Sequence, residues 1–307
     1  MKQRITTGLI IGAIVVAVFL LRFLTPYIFD IAVCAMIIIA SNEVARVYNR
    51  SGRANDSTLI TFYPIFCFAS TFLAYTFGLK IYHVILINLA LIVVFMLIEM
   101  FICLIIRNKV IAEKDDKDFK FSKYFVNRTL LTGFLMLYPS FILSPFFIFN
   151  HLTNFGYLTM PQTNIDFSLF LMLLLVLTTV ATDTFAYFVG RSIKGPKLCP
   201  YISPNKTISG AIGGVIGGVI IGFAVYGVFC AVGLSINTIP PYLIVIYTIL
   251  ASVISQLGDI FASIIKRRAR TKDYSSIFPG HGGFMDRLDG ISFNCIFSLA
   301  FFMLFIL

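Results

Sequence analysis

The sequence predicts an all-α polytopic integral membrane protein with about nine transmembrane helices, a cytoplasmic N-terminus and an external C-terminus. Three observations predict it. Of 307 residues, 59% are hydrophobic and only 12% charged, against about 25% charge in soluble domains, and the mean hydropathy is +0.93. The apolar residues fall in blocks near the roughly 20 residues needed to cross a hydrocarbon core. Finally, 22 of the 24 Lys and Arg residues lie in alternate gaps between those blocks, as expected of cytoplasmic loops.

The blocks are 5–24, 27–42, 59–79, 81–106, 129–149, 167–189, 210–232, 241–258 and 291–307. The first follows Lys2 and Arg4, as in a signal peptide. Its run is long and Arg22 ends it without a small-residue cleavage pattern, so it reads as a retained helix. The second and ninth are short, and the second also fits a re-entrant segment. Arg46, Arg50 and Arg53 follow the second block; Arg107, Lys109, Lys114, Lys117, Lys120, Lys123 and Arg128 follow the fourth. Arg191, Lys194, Lys197 and Lys206 follow the sixth; Lys266, Arg267, Arg268, Arg270, Lys272 and Arg287 follow the eighth. Arg22 and Lys80 are the exceptions, and segments 150–166 and 233–240 carry no Lys or Arg. The net charge of +10 is therefore mainly topological, with a secondary attraction to anionic headgroups; a nucleic-acid partner is not needed. The six cysteines contain no C-x-x-C pair, so neither a zinc site nor a disulfide framework is indicated.

The chain divides into N-terminal transmembrane helices, 1–166 with about five spans, and a C-terminal transmembrane region, 167–307 with about four. The second region carries cytoplasmic loops 190–209 and 259–290. The charge run in 107–128, where Glu113, Asp115, Asp116 and Asp118 mix with lysines, reads as a solvated face. Three carboxylates fall inside spans: Asp30, Glu99 and Asp183. Intramembrane ionisable groups are functional candidates by default. Asp183, among Thr178, Thr179, Thr182 and Thr184, lies about six residues, or ~9 Å, from the cytoplasmic end of its span. It serves either a site or a helix–helix hydrogen bond.

Gly190-Arg191-Ser192-Ile193-Lys194-Gly195-Pro196-Lys197 narrowly misses the P-loop pattern: Pro196 stands where Lys is required and no strand precedes it. Ser203-Pro204-Asn205-Lys206-Thr207 leads into the seventh block, as either an anion site at a helix start or an ordinary start with a snorkelling lysine. Gly210, Gly214, Gly218 and Gly222, flanked by Gly213 and Gly217, read as a close helix-packing face.

The run from Gly258-Asp259 to Asp289 is the richest. Asp286 and Asp289 at i,i+3 share a helix face, and Asp259 closes the eighth block. Carboxylates presented by two helix ends suit Mg²⁺ shared with substrate phosphates. Lys266, Arg267, Lys272 and Arg287 can hold phosphate. Gly280, Gly282 and Gly283 permit close approach of the backbone to an anion, and His281 fits a hydrogen bond to phosphate or backbone. The chemistry that results is metal-assisted phosphoryl or nucleotidyl transfer at a membrane surface.

Ser263-Ile264-Ile265-Lys266-Arg267, then Lys272-Asp273 and Pro279-Gly280-His281-Gly282-Gly283-Phe284-Met285-Asp286-Arg287-Leu288-Asp289, resembles the C-terminal pattern of phosphatidate cytidylyltransferases (CDP-diacylglycerol synthases). Asp183-Thr184-Phe185-Ala186-Tyr187, Gly190-Arg191 and Ser203-Pro204-Asn205-Lys206-Thr207 with Gly210, Gly213 and Gly214 resemble the same family, in the same order. The likeness covers residues 180–290; the first 170 residues share only a set of spans. Ser209 stands where the family often has Glu or Gln, and Ala262 where many members have an acid, leaving Asp259 as the only carboxylate of that stretch. The resemblance implies that phosphatidate attacks the α-phosphorus of CTP, giving CDP-diacylglycerol and pyrophosphate. It implies Asp259 and Asp286 as Mg²⁺ ligands, a second cation staying open, with Asp289 as a ligand or its support. Asp183 would orient a cation or a basic side chain. Lys206, Lys266, Arg267, Lys272 and Arg287 would hold phosphates, and Ser203, Asn205, Thr207, Asp273, His281, Gly282 and Gly283 complete the substrate-binding set. The implied setting is a bacterial cell membrane with a cytoplasmic active site, and a homodimer is compatible with it.

Two other readings are weaker. A transporter or channel would use Asp30, Glu99 and Asp183 as a path, yet the polar residues cluster at one face. CDP-alcohol phosphotransferases carry D-G-x-x-A-R, which Asp289-Gly290-Ile291-Ser292-Phe293-Asn294 breaks.

Overall fold

The structure, a computed structural model, describes residues 2–114, 120–155, 166–236, 239–280 and 282–306. Eight helices among the described residues are long and apolar enough to cross a membrane. They are α2 (Pro26–Arg50), α3 (Ser57–Thr76), α4 (Ile81–Ile105), the composite 121–150, α8 (Phe167–Ile193), α9 (Ile208–Val232), α10 (Pro241–Arg268) and α11 (Met285–Phe305). Before them stands α1 (Lys2–Leu21), whose apolar part, Ile10–Leu21, is shorter than a span. The composite holds α6 (Phe121–Leu135) and α7 (Pro145–Asn150), separated by a widened turn at Met136–Phe141. Pro139 lies in that turn; it lacks an N–H and cannot continue a regular helix.

Local chemistry sets the helix starts. Pro26 and Pro241 occupy first-turn positions, where a missing N–H costs nothing. Asp56 caps α3 by accepting from Thr58 N at 3.0 Å and Leu59 N at 3.1 Å. Asp166 caps α8 through Leu169 N at 3.0 Å, and Thr207 caps α9 through Gly210 N at 3.1 Å.

Several helices outrun their apolar blocks. The second block belongs to a 25-residue helix ending at Arg50, not a re-entrant segment, and the ninth begins at Met285. Helix α8 continues to Ile193 and α10 to Arg268. The loops expected at 190–209 and 259–290 therefore shrink to 194–207 and 269–284, and Asp259, Lys266 and Arg267 are helical. Hydropathy falls before the helix does, because Lys266, Arg267 and Arg268 in the last turn complement the negative end of the helix dipole. The 194–207 stretch also contains β1 (Lys197–Cys199) and β2 (Ser203–Thr207), an antiparallel pair with Lys197 opposite Thr207, which an all-α reading omits. The charged run forms α5 (Arg107–Lys114); Asp115, Asp116, Lys117 and Asp118 lie outside the described residues.

Helices α8 and α9 form the closest pair, through the glycine face. A Cβ at Gly210 would lie 2.7 Å from the Ala186 carbonyl, and at Gly214 2.9 Å from the Thr182 carbonyl. Isoleucines 212, 216 and 220 cover the opposite, exposed face of α9. Helices α10 and α11 pack alongside, tied by Thr182 Oγ1 to Ser252 Oγ at 2.9 Å and Asn294 Nδ2 to Thr179 Oγ1 at 2.6 Å. Such polar links between membrane helices replace the absent hydrophobic drive.

The carboxylates in the N-terminal spans are partnered. Glu99 meets Arg128 Nε at 2.5 Å. Asp30 accepts from Asn150 Nδ2 at 2.8 Å and meets His151 Nε2 at 2.6 Å. Arg22 donates to Asn150 Oδ1 at 2.6 Å and pairs with Asp166, which accounts for a cation on the minority side. Asp30, Arg22 and Asp166 thus belong to one network through Asn150, and Glu99 with Asp56 to another through Arg128.

A set of hydrogen bonds ties α2 to the start of α11. Glu43, buried on α2, accepts from Ser275 Oγ at 2.5 Å, Phe284 N at 3.1 Å and Met285 N at 2.9 Å. It thus supplies from 240 residues away the N-terminal cap that α11's own sequence lacks. An anion there also meets the positive helix end.

Gly214→Val should lower the thermal unfolding midpoint in detergent, since overpacking costs about 1–3 kcal/mol. Gly227→Ala, with nothing within 4 Å of the added carbon, should not lower it. Glu43→Ala should destabilise by about 1–3 kcal/mol, the cost of leaving buried donors unpaired, and Glu43→Gln by less; both are read as shifts of the same midpoint.

Candidate active site

Helices α8 to α11 and strand β2 surround a cavity of about 960 Å³. Asp183 enters it from α8, Asn205, Lys206 and Thr207 from β2, and Asp259 and Lys266 from α10. Asp273 lines it from the 269–284 connection, and Asp286, Arg287 and Asp289 from α11. The i,i+3 spacing brings Asp286 and Asp289 to the same cavity, as helical geometry requires.

The four aspartates nearest the helices differ in what holds them. Asp259 Oδ2 pairs with Lys206 Nζ at 2.6 Å, with the two side chains 30% and 23% exposed. The Lys206 ammonium is itself shielded from solvent, drawn to the carboxylate, and does not snorkel. Asp286 is built in. Its Oδ1 meets Lys266 Nζ at 2.7 Å, and its Oδ2 accepts from Tyr274 N and Gly283 N, each at 2.9 Å. Asp289 accepts from Gly290 N at 2.9 Å, and Asp183 makes no hydrogen bond or ion pair among the described residues. The charges of Asp259 and Asp183 act on Asp289, and that of Asp259 on Asp183, opposed there by Lys206 and Arg287.

Tyr274 supports both sides of the Lys266–Asp286 pair. Its ring lies 5.3 Å from Lys266 Nζ, its N–H holds Asp286, and its hydroxyl donates to the Ala262 carbonyl at 3.3 Å. Burial, and next the neighbouring Tyr138, pushes this hydroxyl well above the usual tyrosine range, so it remains protonated.

Several expected residues are not at the cavity. Arg267 instead donates to the carbonyls of Ile202 and Thr271, at 3.4 and 3.2 Å. Ser203 and Lys272 do not line it. Gly282 and Gly283 make room for the protein's own carboxylates: a Cβ on Gly282 would meet Asp286, and one on Gly283 would meet Glu43. Gly282 also has φ +80°, a conformation that favours glycine. His281 lies outside the described residues.

Other residues line the cavity without having been singled out for it. Arg191, Lys194 and Lys197 add three cations to the rim, and Arg191 donates to Tyr187 Oη at 2.8 Å. The signal was present: Gly190-Arg191 belongs to the family resemblance, while the run Gly190–Lys197 otherwise reads only as a near P-loop and as topological charge. Gln256 donates to the Ala211 carbonyl at 3.2 Å, fixing α10 against α9 in the wall.

The lining mixes five aspartates with Lys206 and Lys266, each paired to one of them, and with the exposed cations Arg191, Lys194, Lys197 and Arg287. No three His, Cys, Asp or Glu among the described residues form a ready metal cage. The oxygen donors of Asp183, Asp259 and Asp289, gathered at one open cavity, fit a hard divalent ion completed by substrate oxygens. An anionic substrate at the rim would meet guanidinium and ammonium donors.

Comparison with known proteins agrees with this arrangement. The family model described as the cytidylyltransferase family matches residues 2–305. The chain is 40% identical over 111 residues to a Brucella abortus protein named phosphatidate cytidylyltransferase, covering 36% of this chain and 38% of the relative. It is 38% identical over 126 residues to the Bacillus subtilis protein of that name, covering 40% and 43%. The likeness to the Aquifex aeolicus protein of that name is 30% over 218 residues, covering 65% and 78%. The chain thus spans well under half the length of the first two relatives and over three quarters of the third. With the family model matched from near one end to the other, the chain belongs to the cytidylyltransferase family.

Proposed function

We propose that this protein condenses CTP with phosphatidate to give CDP-diacylglycerol and pyrophosphate, at the cytoplasmic face of a bacterial membrane. The observation that carries the reading is the single cavity in which aspartates from three transmembrane helices face a cationic rim. Membership of the cytidylyltransferase family and the names of the relatives support the substrates. The cation bias of the loops supports the face, by the positive-inside rule.

A phosphate oxygen of phosphatidate forms the new bond to the α-phosphorus of CTP, and the bond to the bridging oxygen breaks as pyrophosphate leaves. The nucleophile is already anionic at neutral pH, so the site needs no strong base. Its task is to bring two anions together and take up charge on the leaving group. Lys206 is placed for this work: in exchanging Asp259 for an incoming phosphate it frees that carboxylate. Asp259, Asp289 and Asp183 would hold a divalent cation, Mg²⁺ by the hardness of the donors. Such an ion supplies charge neutralisation at the phosphates when bound. Asp286 differs from its i+3 neighbour: with both oxygens engaged, it holds Lys266 and the 274–283 turn in place. Arg191, Lys194, Lys197 and Arg287 provide further phosphate contacts at the rim.

Radiolabelled CTP, phosphatidate and Mg²⁺ in mixed micelles should yield CDP-lipid with monodisperse protein; no product under those conditions refutes the reading. Asp259→Asn should lower kcat about 100-fold or more, the scale of losing a charge-stabilising group, with an unchanged melting midpoint. Asp286→Asn should lower activity and midpoint together, and an unchanged midpoint would return Asp286 to direct ligation. Lys206→Ala should raise the KM of one phosphate-bearing substrate about 10- to 100-fold, as loss of a charged hydrogen bond predicts.

A further inference from the structure

A second cavity, of about 500 Å³, lies between α2, α3 and residues 274–277. Tyr274 lines it, while the adjacent Asp273 lines the first cavity, so one short stretch of chain separates the two. Its lining is graded. Ile38 and Ile39 form the apolar end, Asn42 and Thr61 the middle, and Arg46 and Arg50 the charged end. At 1.5 Å per residue, Ile38 lies ~12 Å along α2 from Arg46, the depth of a headgroup and the first acyl carbons.

The charge at this cavity is unclaimed and positive. Arg46 and Arg50 stand one turn apart on one helix face and are exposed. Neither guanidinium has a hydrogen bond or ion pair among the described residues. Glu43 is the carboxylate present, and its oxygens are taken by Ser275 Oγ and by the N–H groups of Phe284 and Met285. Asn42 is bound to Thr61 Oγ1 at 2.9 Å. One turn from Thr61 on the same face of α3, Ile65 is exposed, so the surface continues apolar there. A soluble anion would use only the charged end. A ligand with a phosphate head and hydrocarbon tails uses all of it, and basic pockets between membrane helices bind such lipids.

We infer that this cavity is an accessory site for an anionic glycerophospholipid, its phosphate between Arg46 and Arg50 and its acyl chains along α2 and α3. The inference stands apart from the transfer reaction, since it needs only binding. The wall at Tyr274–Ile277 places the bound lipid against the segment that also carries the Asp286 anchor.

Native mass spectrometry of the purified full chain tests it, with phosphatidylglycerol, phosphatidylcholine, phosphatidate and inorganic phosphate as separate probes. Wild type should retain phosphatidylglycerol over phosphatidylcholine by about tenfold or more, the scale of two cations near a membrane surface. Arg46→Gln/Arg50→Gln should lose that preference, and Arg46→Lys/Arg50→Lys should keep most of it; single Arg50→Gln, should the double variant not fold, should lose part. Equal retention by wild type and glutamine variants overturns the site. Retention of phosphatidate without phosphatidylglycerol makes the cavity part of a substrate path, and overturns an accessory role. Retention of inorganic phosphate matching that of lipid overturns the lipid assignment.

Discussion

Acidic groups brought together at the edge of a low-dielectric slab set the terms for this protein. Asp183, Asp259 and Asp289 come from three helices and meet at one cavity, where burial opposes their charged forms. Nothing in their own helices favours that meeting. It holds because α8 and α9 are pressed together along a face without side chains, because Lys206 offsets Asp259, and because Asp286 is locked to Lys266 and two backbone N–H groups. The packing of the C-terminal helices is thus the means by which an unfavourable charge arrangement is maintained, ready for ligands that relieve it.

The aspartates divide the labour by exposure. The Asp259–Lys206 pair, its side chains 30% and 23% exposed, rests on one ion pair with no backbone donor engaged among the described residues. A carboxylate that is 6% exposed, with charged and backbone donors on both oxygens, cannot be released without leaving buried donors unmet. Asp259 on α10 and Asp286 on α11 are therefore held in different ways, and motif spacing alone does not reveal which is which.

Much of the fold was legible in the sequence. Hydropathy marked the membrane helices, and the cation bias marked the side on which the cavity opens. Motif spacing marked most cavity residues, since Asp183, Lys206, Asp259 and Asp289 occupy positions whose chemistry is local. What was hidden depends on contacts distant in sequence or on backbone geometry. Glu43 sits one residue past the apolar block that defines its span, in a run with no motif, and its partners are 240 residues away. The hairpin at 197–207 carries too few residues to show alternation. The roles of Gly282 and Gly283 reversed, because the anions they approach are carboxylates of the protein itself.

Helix α9 carries a consequence for how this half of the chain comes to exist. One side is glycine and the other is isoleucine at positions 212, 216 and 220, residue types that rank low as helix formers in water. In hydrocarbon the ranking loses its force, because an unpaired peptide group there costs several kcal/mol and a single segment can satisfy itself only by coiling. The lipid is therefore part of the folding code for α9: the same letters read in an aqueous medium would hold a helix far less firmly.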